Sequence, residues 1–275
     1  MFIRILSGII GLIALLPLII FGGLWLQIGL TIVVIIGMWE FYRAFGEIRA
    51  AHIIGLALAV AYIALIDNIF PGFLNLLLLP LLPAILLAVS YMAFVVMRRK
   101  PYKPIGDVSI AVFGFFYIAV TLSTIYILRE GMGMFFVWLV FISAWGCDTG
   151  AYFTGRTLGR HKLAPVLSPN KTVEGFAGGI VTATLLGAAY GFILYNLGKL
   201  GFGYILIFAL VAFVCSIAGQ IGDLAASAIK RSRELKDYGN IMPGHGGVLD
   251  RFDSIIFTAP LAFVILGLIE WFINL

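Results

Sequence analysis

The chain has 275 residues, of which 62% are hydrophobic, and its mean hydropathy is +1.11. Charged residues make up 11% of the chain, against about 25% in an ordinary soluble domain. This composition excludes a soluble globular protein and predicts an integral membrane protein.

Apolar segments follow one another along the whole chain, each long enough to cross the hydrocarbon core of a bilayer, which takes roughly 20 helical residues. We predict nine transmembrane helices and an all-α, polytopic fold. The predicted spans are 3–22, 24–44, 52–70, 73–97, 107–128, 133–154, 174–197, 202–229 and 253–273. The first is predicted to be a membrane span rather than a cleaved signal peptide, because no small-residue cleavage pattern follows it.

The helices are expected to form one continuous membrane domain, since the sequence contains neither an internal repeat nor a flexible linker. Residues 1–130 supply N-terminal transmembrane helices, and residues 131–275 supply C-terminal transmembrane helices with the motifs described below. Cys147 and Cys215 both fall inside predicted spans, so an extracellular disulfide framework is not expected.

Lys and Arg residues are distributed unevenly between the two sides of the predicted membrane domain. A cytoplasmic N-terminus places sixteen of the 18 on the cytoplasmic side and only Arg129 and Lys199 on the other, as the positive-inside rule requires. Topology and attraction to anionic lipid account for the basic group at 98–103. They do not account for residues 230–253, where nine charged residues of both signs surround several glycines.

Four aspartates lie near predicted cytoplasmic helix ends. Asp148 and Asp223 come late in the sixth and eighth spans, and Asp250 and Asp253 share a helix face if the ninth helix has begun there. A carboxylate inside a span costs about 2.5–3.5 kcal/mol on insertion scales, so it usually faces a partner, a cavity or an ion. One interpretation is that the aspartates pair with basic residues and hold helices together; the other is a divalent cation site.

Basic residues and glycines near these aspartates favour a phosphorylated substrate. Lys171, Lys230, Arg231 and Arg251 are suited to bind phosphate oxygens, and Mg²⁺ needs only one or two protein carboxylates when phosphates complete its shell. The sequence "PGHGG" supplies Gly244, Gly246 and Gly247, which let backbone N–H groups approach an anion. The same glycines are also what an ordinary loop would use, and a lone loop histidine such as His245 often has no chemical role.

Two blocks of sequence resemble the integral-membrane CDP-diacylglycerol synthases (phosphatidate cytidylyltransferases). The first runs from Ser227 through "IKRSRELKDYGNIMPGHGGVLDRFD" to Asp253, and the second is "CDTGAYFTGRTLGRHKLAPVLSPNKTVEGFAGG". Together they cover about residues 143–258. The nucleotide-binding signatures G-x-x-x-x-G-K-[ST] and G-x-G-x-x-G are missing from the sequence.

The resemblance implies transfer of CMP from CTP to phosphatidic acid with release of pyrophosphate, dependent on Mg²⁺ with room for a second cation. It implies that Asp148, Asp223 and Asp250 are catalytic and bind the metal, and that Lys171 is catalytic. The implied substrate-binding residues are Ser227, Lys230, Arg231, Lys236, His245, Gly246, Gly247, Arg251 and Asp253. It further implies a homodimer in the inner membrane with the site facing the cytoplasm, where CTP and membrane lipid meet, and no nucleic acid partner.

Two other functions fit parts of the sequence. A CTP-dependent lipid or polyprenol kinase would use similar chemistry but release CDP rather than pyrophosphate. An ion-coupled transporter would also carry intramembrane aspartates, but closer to mid-span and with inverted repeats.

Overall fold

The computed structural model describes residues 2–66, 104–242, 244 and 246–273. The predicted span 73–97 and His245 lie outside the described residues. The helices are α1 (Phe2–Phe21), α2 (Gly23–Ala44), α3 (Ala50–Leu65), α4 (Pro104–Gly114), α5 (Thr121–Met132), α6 (Met134–Leu158), α7 (Val173–Asn196), α8 (Gly203–Ser232), α9 (Leu249–Phe252) and α10 (Ile255–Ile273). A π-helical segment, Phe115–Val120, joins α4 to α5, and two short strands, β1 (Lys162–Ala164) and β2 (Ser168–Thr172), lie between α6 and α7.

Six helical stretches among the described residues are long and apolar enough to cross a membrane. They are Gly23–Ala44, Gly106–Met132, Met134–Leu158, Val173–Asn196, Gly203–Ser232 and Leu249–Phe272. The predicted all-α, polytopic membrane class is therefore confirmed. The segment predicted at 52–70 overlaps the shorter helix α3, of 16 residues, and the count of nine spans stays a prediction.

The chain forms two compact units. Unit 1 comprises residues 1–126 and 237–251, and unit 2 comprises residues 127–236 and 252–275. In unit 1, α2 packs against α1, α3 and the π-helical segment. Its buried core includes Val34, Met38, Phe41 and Ile118.

Unit 2 is built from α6, α7, α8 and α10, with α7 packed against both α6 and α8. Its buried core includes Phe141, Ala183, Phe208 and Cys215. Large apolar side chains such as Leu185, Phe192 and Leu206 are exposed on α7 and α8. An apolar exposed surface is what helices in contact with lipid require.

Two glycines one turn apart allow α7 to approach the backbone of α6. A Cβ atom at Gly175 would lie 2.9 Å from the carbonyl oxygen of Ala151, and one at Gly179 would lie 2.8 Å from the carbonyl oxygen of Cys147. The spacing Gly-x-x-x-Gly is the small-residue pattern that lets membrane helices pack closely. This contact fixes the part of α6 that carries Asp148 against the first turns of α7.

Substitution of Gly179 by leucine is expected to destabilise the protein by about 1–3 kcal/mol, because the added side chain has no room against α6. Gly131→Leu is the matched control, since a Cβ atom at this helical glycine meets nothing within 4 Å. The thermal unfolding midpoint of each variant in detergent measures the effect. Equal midpoints for the two variants would contradict the close packing of α6 and α7.

Candidate active site

A cavity of about 480 Å³ opens in unit 2 where α6, α7, α8 and the β1–β2 hairpin meet. Four charged residues line it: Asp148, Arg156, Lys171 and Asp223. Asp148 lies in the C-terminal half of α6, and Asp223 lies in the C-terminal half of α8. The fold therefore brings together three residues that the sequence predicts to be catalytic, Asp148, Asp223 and Lys171.

Lys171 of β2 and Asp223 of α8 form an ion pair in this cavity, and each side chain is 25% exposed. The exposure matters, because a charged pair that touches the cavity can exchange partners with a ligand there. Asp148 is more exposed than Asp223. The cavity thus offers carboxylate oxygens and an ammonium group side by side.

The β1–β2 hairpin holds Lys171 in place through its connections to α7. The strands pair antiparallel, with Lys162 opposite Thr172 and Ala164 opposite Ser168. Thr172 caps α7, since its hydroxyl oxygen accepts a hydrogen bond from the Gly175 N–H at 3.1 Å. Lys171 is therefore the last residue before a helix cap, which limits the movement of its backbone.

Glu174, in the first turn of α7, ties the other end of the hairpin to the helix. Its carboxylate accepts hydrogen bonds from the backbone N–H groups of Arg160 at 3.0 Å and His161 at 3.2 Å. The His161 ring nitrogen Nδ1 lies 2.6 Å from the same carboxylate. A carboxylate at a helix N-terminus is also favoured by the helix dipole. The loop between α6 and α7 is thus an ordered part of the site.

Asp253 lies at the break between α9 and α10. Asp223, Lys230 and Asp148 are close enough to Asp253 to act electrostatically on its carboxylate. Asp253 Oδ1 accepts a hydrogen bond from the Ser254 N–H at 2.8 Å. Lys230 is buried, at 8% exposure. Unit 2 therefore contains Asp253 and Lys230 as well as the predicted catalytic residues Asp148, Lys171 and Asp223.

The end of α8 and the residues that follow it carry three more of the predicted substrate-binding residues. Ser227 is buried on α8, one helical turn from Asp223. Arg231 and Lys236 are exposed, and Arg231 Nη1 donates a hydrogen bond to the Leu235 carbonyl oxygen at 2.7 Å. These two basic side chains are accessible to an anionic ligand.

Asp250 belongs to unit 1 and is held by the backbone of its own loop. Its Oδ2 accepts hydrogen bonds from the N–H groups of Tyr238 at 2.8 Å and Gly247 at 2.9 Å. Gly246 adopts a φ of 82°, a conformation that favours glycine, and its carbonyl oxygen accepts from the Met242 N–H at 2.9 Å. Arg251, next in the chain, is exposed.

The structure places the predicted metal ligands in both units, with Asp148 and Asp223 in unit 2 and Asp250 in unit 1. No group of three or more His, Cys, Asp or Glu side chains among the described residues is arranged to hold a metal ion. The condition for Asp250 and Asp253 to share a helix face is not met, because α9 ends at Phe252 and α10 begins at Ile255.

Comparison with known proteins identifies the family. The family model described as the cytidylyltransferase family matches residues 2–269. The chain belongs to the cytidylyltransferase family. The resemblance found in the two motif blocks is therefore confirmed, and family membership extends to the N-terminal helices, in which no motif is recognisable.

Three members of the family illustrate how similar the chain is to its relatives. A protein of Bacillus subtilis (strain 168) named phosphatidate cytidylyltransferase is 39% identical over 187 residues, which cover 67% of this chain and 66% of the relative. Proteins with the same name from Staphylococcus haemolyticus (strain JCSC1435) and Staphylococcus aureus (strain COL) are each 34% identical, over 267 and 271 residues. These alignments cover 96% of this chain and 98% of each relative.

The cavity of this family member also contains polar residues for which the sequence predicts no role. Arg156 and Tyr152 line it, and Arg156 Nη1 donates a hydrogen bond to the Tyr152 hydroxyl at 2.9 Å. Gln220 lines it from α8 and donates to the Phe176 carbonyl oxygen at 3.1 Å. The sequence contains a pattern that could have identified Tyr152 and Arg156. Positions 148, 152 and 156 follow one another at four-residue intervals, so these residues share a helix face with Asp148.

Proposed function

We propose that this protein is a phosphatidate cytidylyltransferase, which transfers CMP from CTP to phosphatidic acid and gives CDP-diacylglycerol and pyrophosphate. The observation that carries the proposal is the cavity in which Asp148, Asp223 and Lys171 meet near the ends of membrane helices. Relatives with this name that align along nearly the whole chain support the same activity.

The reaction that we propose is a direct displacement at phosphorus. A phosphate oxygen of phosphatidate forms a bond to the α-phosphorus of CTP, and the bond from that phosphorus to the oxygen bridging to the β-phosphate breaks, so that pyrophosphate leaves. Both reactants are polyanions, so catalysis consists mainly of positioning and charge stabilisation. The reaction needs no side-chain nucleophile.

Lys171 and Arg156 are suited to bind phosphate oxygens in the cavity, Lys171 as a point charge and Arg156 as a planar donor. When phosphates enter, the Lys171 ammonium group can leave Asp223 and bind them. We assign further substrate contacts to Ser227, Lys230, Arg231, Lys236, His245, Gly246, Gly247, Arg251 and Asp253.

The proposed cofactor is Mg²⁺, with Asp148, Asp223 and Asp250 as its protein ligands. The donor set fits this ion, since Asp148 and Asp223 offer oxygen atoms to one cavity and Mg²⁺ is bound by few carboxylates when phosphates are present. When bound, Mg²⁺ neutralises the charge that develops on phosphate oxygens. Asp223 would then bind the cation instead of pairing with Lys171.

We further propose that the protein lies in the inner membrane as a homodimer, with the site on the cytoplasmic side. The predicted excess of Lys and Arg on that side supports this orientation. CTP is present in the cytoplasm, and the phosphatidate head group lies at the membrane surface. A cavity near the membrane edge would meet both substrates.

The test is an assay of the purified protein in detergent with labelled CTP, phosphatidate and Mg²⁺. We expect cytidine label in the lipid fraction and one pyrophosphate released per lipid formed. If the phosphate of phosphatidate carries ¹⁸O, the label should occupy the bridging position between the two phosphorus atoms of the product, because the lipid oxygen is the attacking atom.

Two outcomes would contradict the proposal. Phosphorylated lipid together with CDP would identify a CTP-dependent kinase. Unchanged CTP and lipid, with transport of an ion after reconstitution into vesicles, would identify a transporter.

A further inference from the structure

Glu40 of α2 is a buried carboxylate to which the proposed reaction assigns no role. It is 3% exposed and lies in a helix that is otherwise mainly apolar. A buried charge of this kind is retained only where partners compensate its loss of hydration. The hydrogen-bond partners of the Glu40 carboxylate therefore indicate the role of this residue.

Both oxygens of the Glu40 carboxylate accept hydrogen bonds from the loop that precedes Asp250. Oε1 accepts from the Val248 N–H at 3.1 Å, and Oε2 accepts from the Leu249 N–H at 2.9 Å. Val248 and Leu249 are themselves buried. Glu40 thus provides acceptors for two N–H groups at the start of α9, which the short helix itself does not satisfy.

Two glycines of the same loop lie directly against the Glu40 side chain. A Cβ atom at Gly239 would be 2.8 Å from Glu40 Cδ, and one at Gly247 would be 2.6 Å from it. Neither position has room for a larger residue while Glu40 stays in place. The backbone of the loop therefore surrounds the Glu40 carboxylate on two sides.

Three consecutive N–H groups of this loop are shared between two carboxylates. The Gly247 N–H donates to Asp250 Oδ2, and the next two N–H groups donate to Glu40. The backbone that fixes the Asp250 carboxylate is thus itself fixed by Glu40. A change at Glu40 must reach Asp250 through only two or three residues.

We propose that Glu40 is a positioning residue, which holds the loop 246–249 so that the Asp250 carboxylate keeps the orientation needed to bind the cation. The inference rests on the proposed function, in which Asp250 is a metal ligand. Glu40 acts only through the backbone and contacts neither substrate nor metal.

The first test measures binding of Mn²⁺ alone, without substrates, from the electron paramagnetic resonance signal of the free ion. We expect Glu40→Gln to weaken Mn²⁺ binding about tenfold and Glu40→Ala up to about a hundredfold, the range typical for residues that orient metal ligands. Glu47→Gln is the matched control, since Glu47 is an exposed carboxylate just beyond α2, and it should bind Mn²⁺ as the parent does.

The second test measures hydrogen exchange at the amides of residues 246–250. We expect faster exchange in Glu40→Gln than in the parent or in Glu47→Gln, because both amides lose a charged acceptor and one of them faces the glutamine NH₂ group, which cannot accept a hydrogen bond. If Glu40→Ala does not fold, Glu40→Gln and Glu40→Asp carry both tests, since each keeps an oxygen that can accept a hydrogen bond.

The outcomes separate this inference from the proposed function. Parent-like Mn²⁺ binding and parent-like exchange in folded Glu40→Gln would overturn the positioning role and leave the function intact. Faster exchange with unchanged Mn²⁺ binding would also overturn it, because the residue would then serve the fold alone. Failure of the parent protein to form CDP-diacylglycerol would overturn the proposed function instead.

Discussion

Replacing Asp223 by asparagine is expected to lower turnover about a thousandfold, a loss of about 4 kcal/mol of transition-state stabilisation. The substitution keeps the shape of a side chain that lines the cavity but removes the charge that pairs with Lys171. Turnover is measured as lipid-soluble cytidine formed by the purified protein. Glu270→Gln, which neutralises an exposed carboxylate near the end of α10, is the control and should keep the parent rate.

The ion pair of Asp223 with Lys171 allows a purely structural role of Asp223 to be distinguished from a catalytic one. A partly exposed pair contributes about 0–1 kcal/mol to stability, far less than the expected effect on turnover. If the pair only joined β2 to α8, Asp223→Asn and Lys171→Met would slightly lower the thermal midpoint, and turnover would follow stability. Near-parent turnover in folded Asp223→Asn would remove this residue from the catalytic site.

Asp250→Asn is expected to lower turnover by a similar factor of about a thousand, with little change in stability. Asp250 Oδ2 accepts two backbone N–H groups, and the single oxygen of asparagine can accept both because a carbonyl oxygen has two lone pairs. The variant therefore loses the charge that is proposed to bind Mg²⁺ and keeps the loop contacts. Turnover and the thermal midpoint in detergent measure the two effects separately.

Asp250→Ala is the contrasting variant, because it also removes the acceptor of the Tyr238 and Gly247 N–H groups. Loss of a partner for a buried N–H group costs about 1–3 kcal/mol, so the thermal midpoint should fall along with turnover. Parent-like turnover in Asp250→Asn, with a lowered midpoint in Asp250→Ala, would restrict Asp250 to a structural role.

The membrane helices were predictable because length and hydropathy are local properties of the sequence. The predicted spans 24–44 and 174–197 differ by one residue at most from α2 and α7. The β1–β2 hairpin between α6 and α7 was not predicted. Its strands have three and five residues, and it is held by the capping of α7 and by Glu174, which is a tertiary effect that local propensity does not report.

The cavity was partly predictable from spacing and charge. Asp148 and Asp223 could be predicted as site residues because a carboxylate inside an apolar helix is energetically costly and usually faces a partner, a cavity or an ion. The same rule applied to Glu40 would have marked it, but Glu40 lies outside both motif blocks, and no local pattern connects it to its partners Val248 and Leu249. The break between α9 and α10 was also hidden, because the residues "LDRFDSI" fit a continuous helix as well as an interrupted one.

The hydrogen bonds of Glu40 join residues that are 208 and 209 positions apart. At about 5–20 residues per second, the ribosome delivers Val248 and Leu249 roughly 10–40 s after Glu40. During that interval α2 is present in the nascent chain without the two N–H groups that its carboxylate later binds. The newly made helix must therefore keep Glu40 hydrated at the membrane surface or protonated until Val248 and Leu249 have been synthesised.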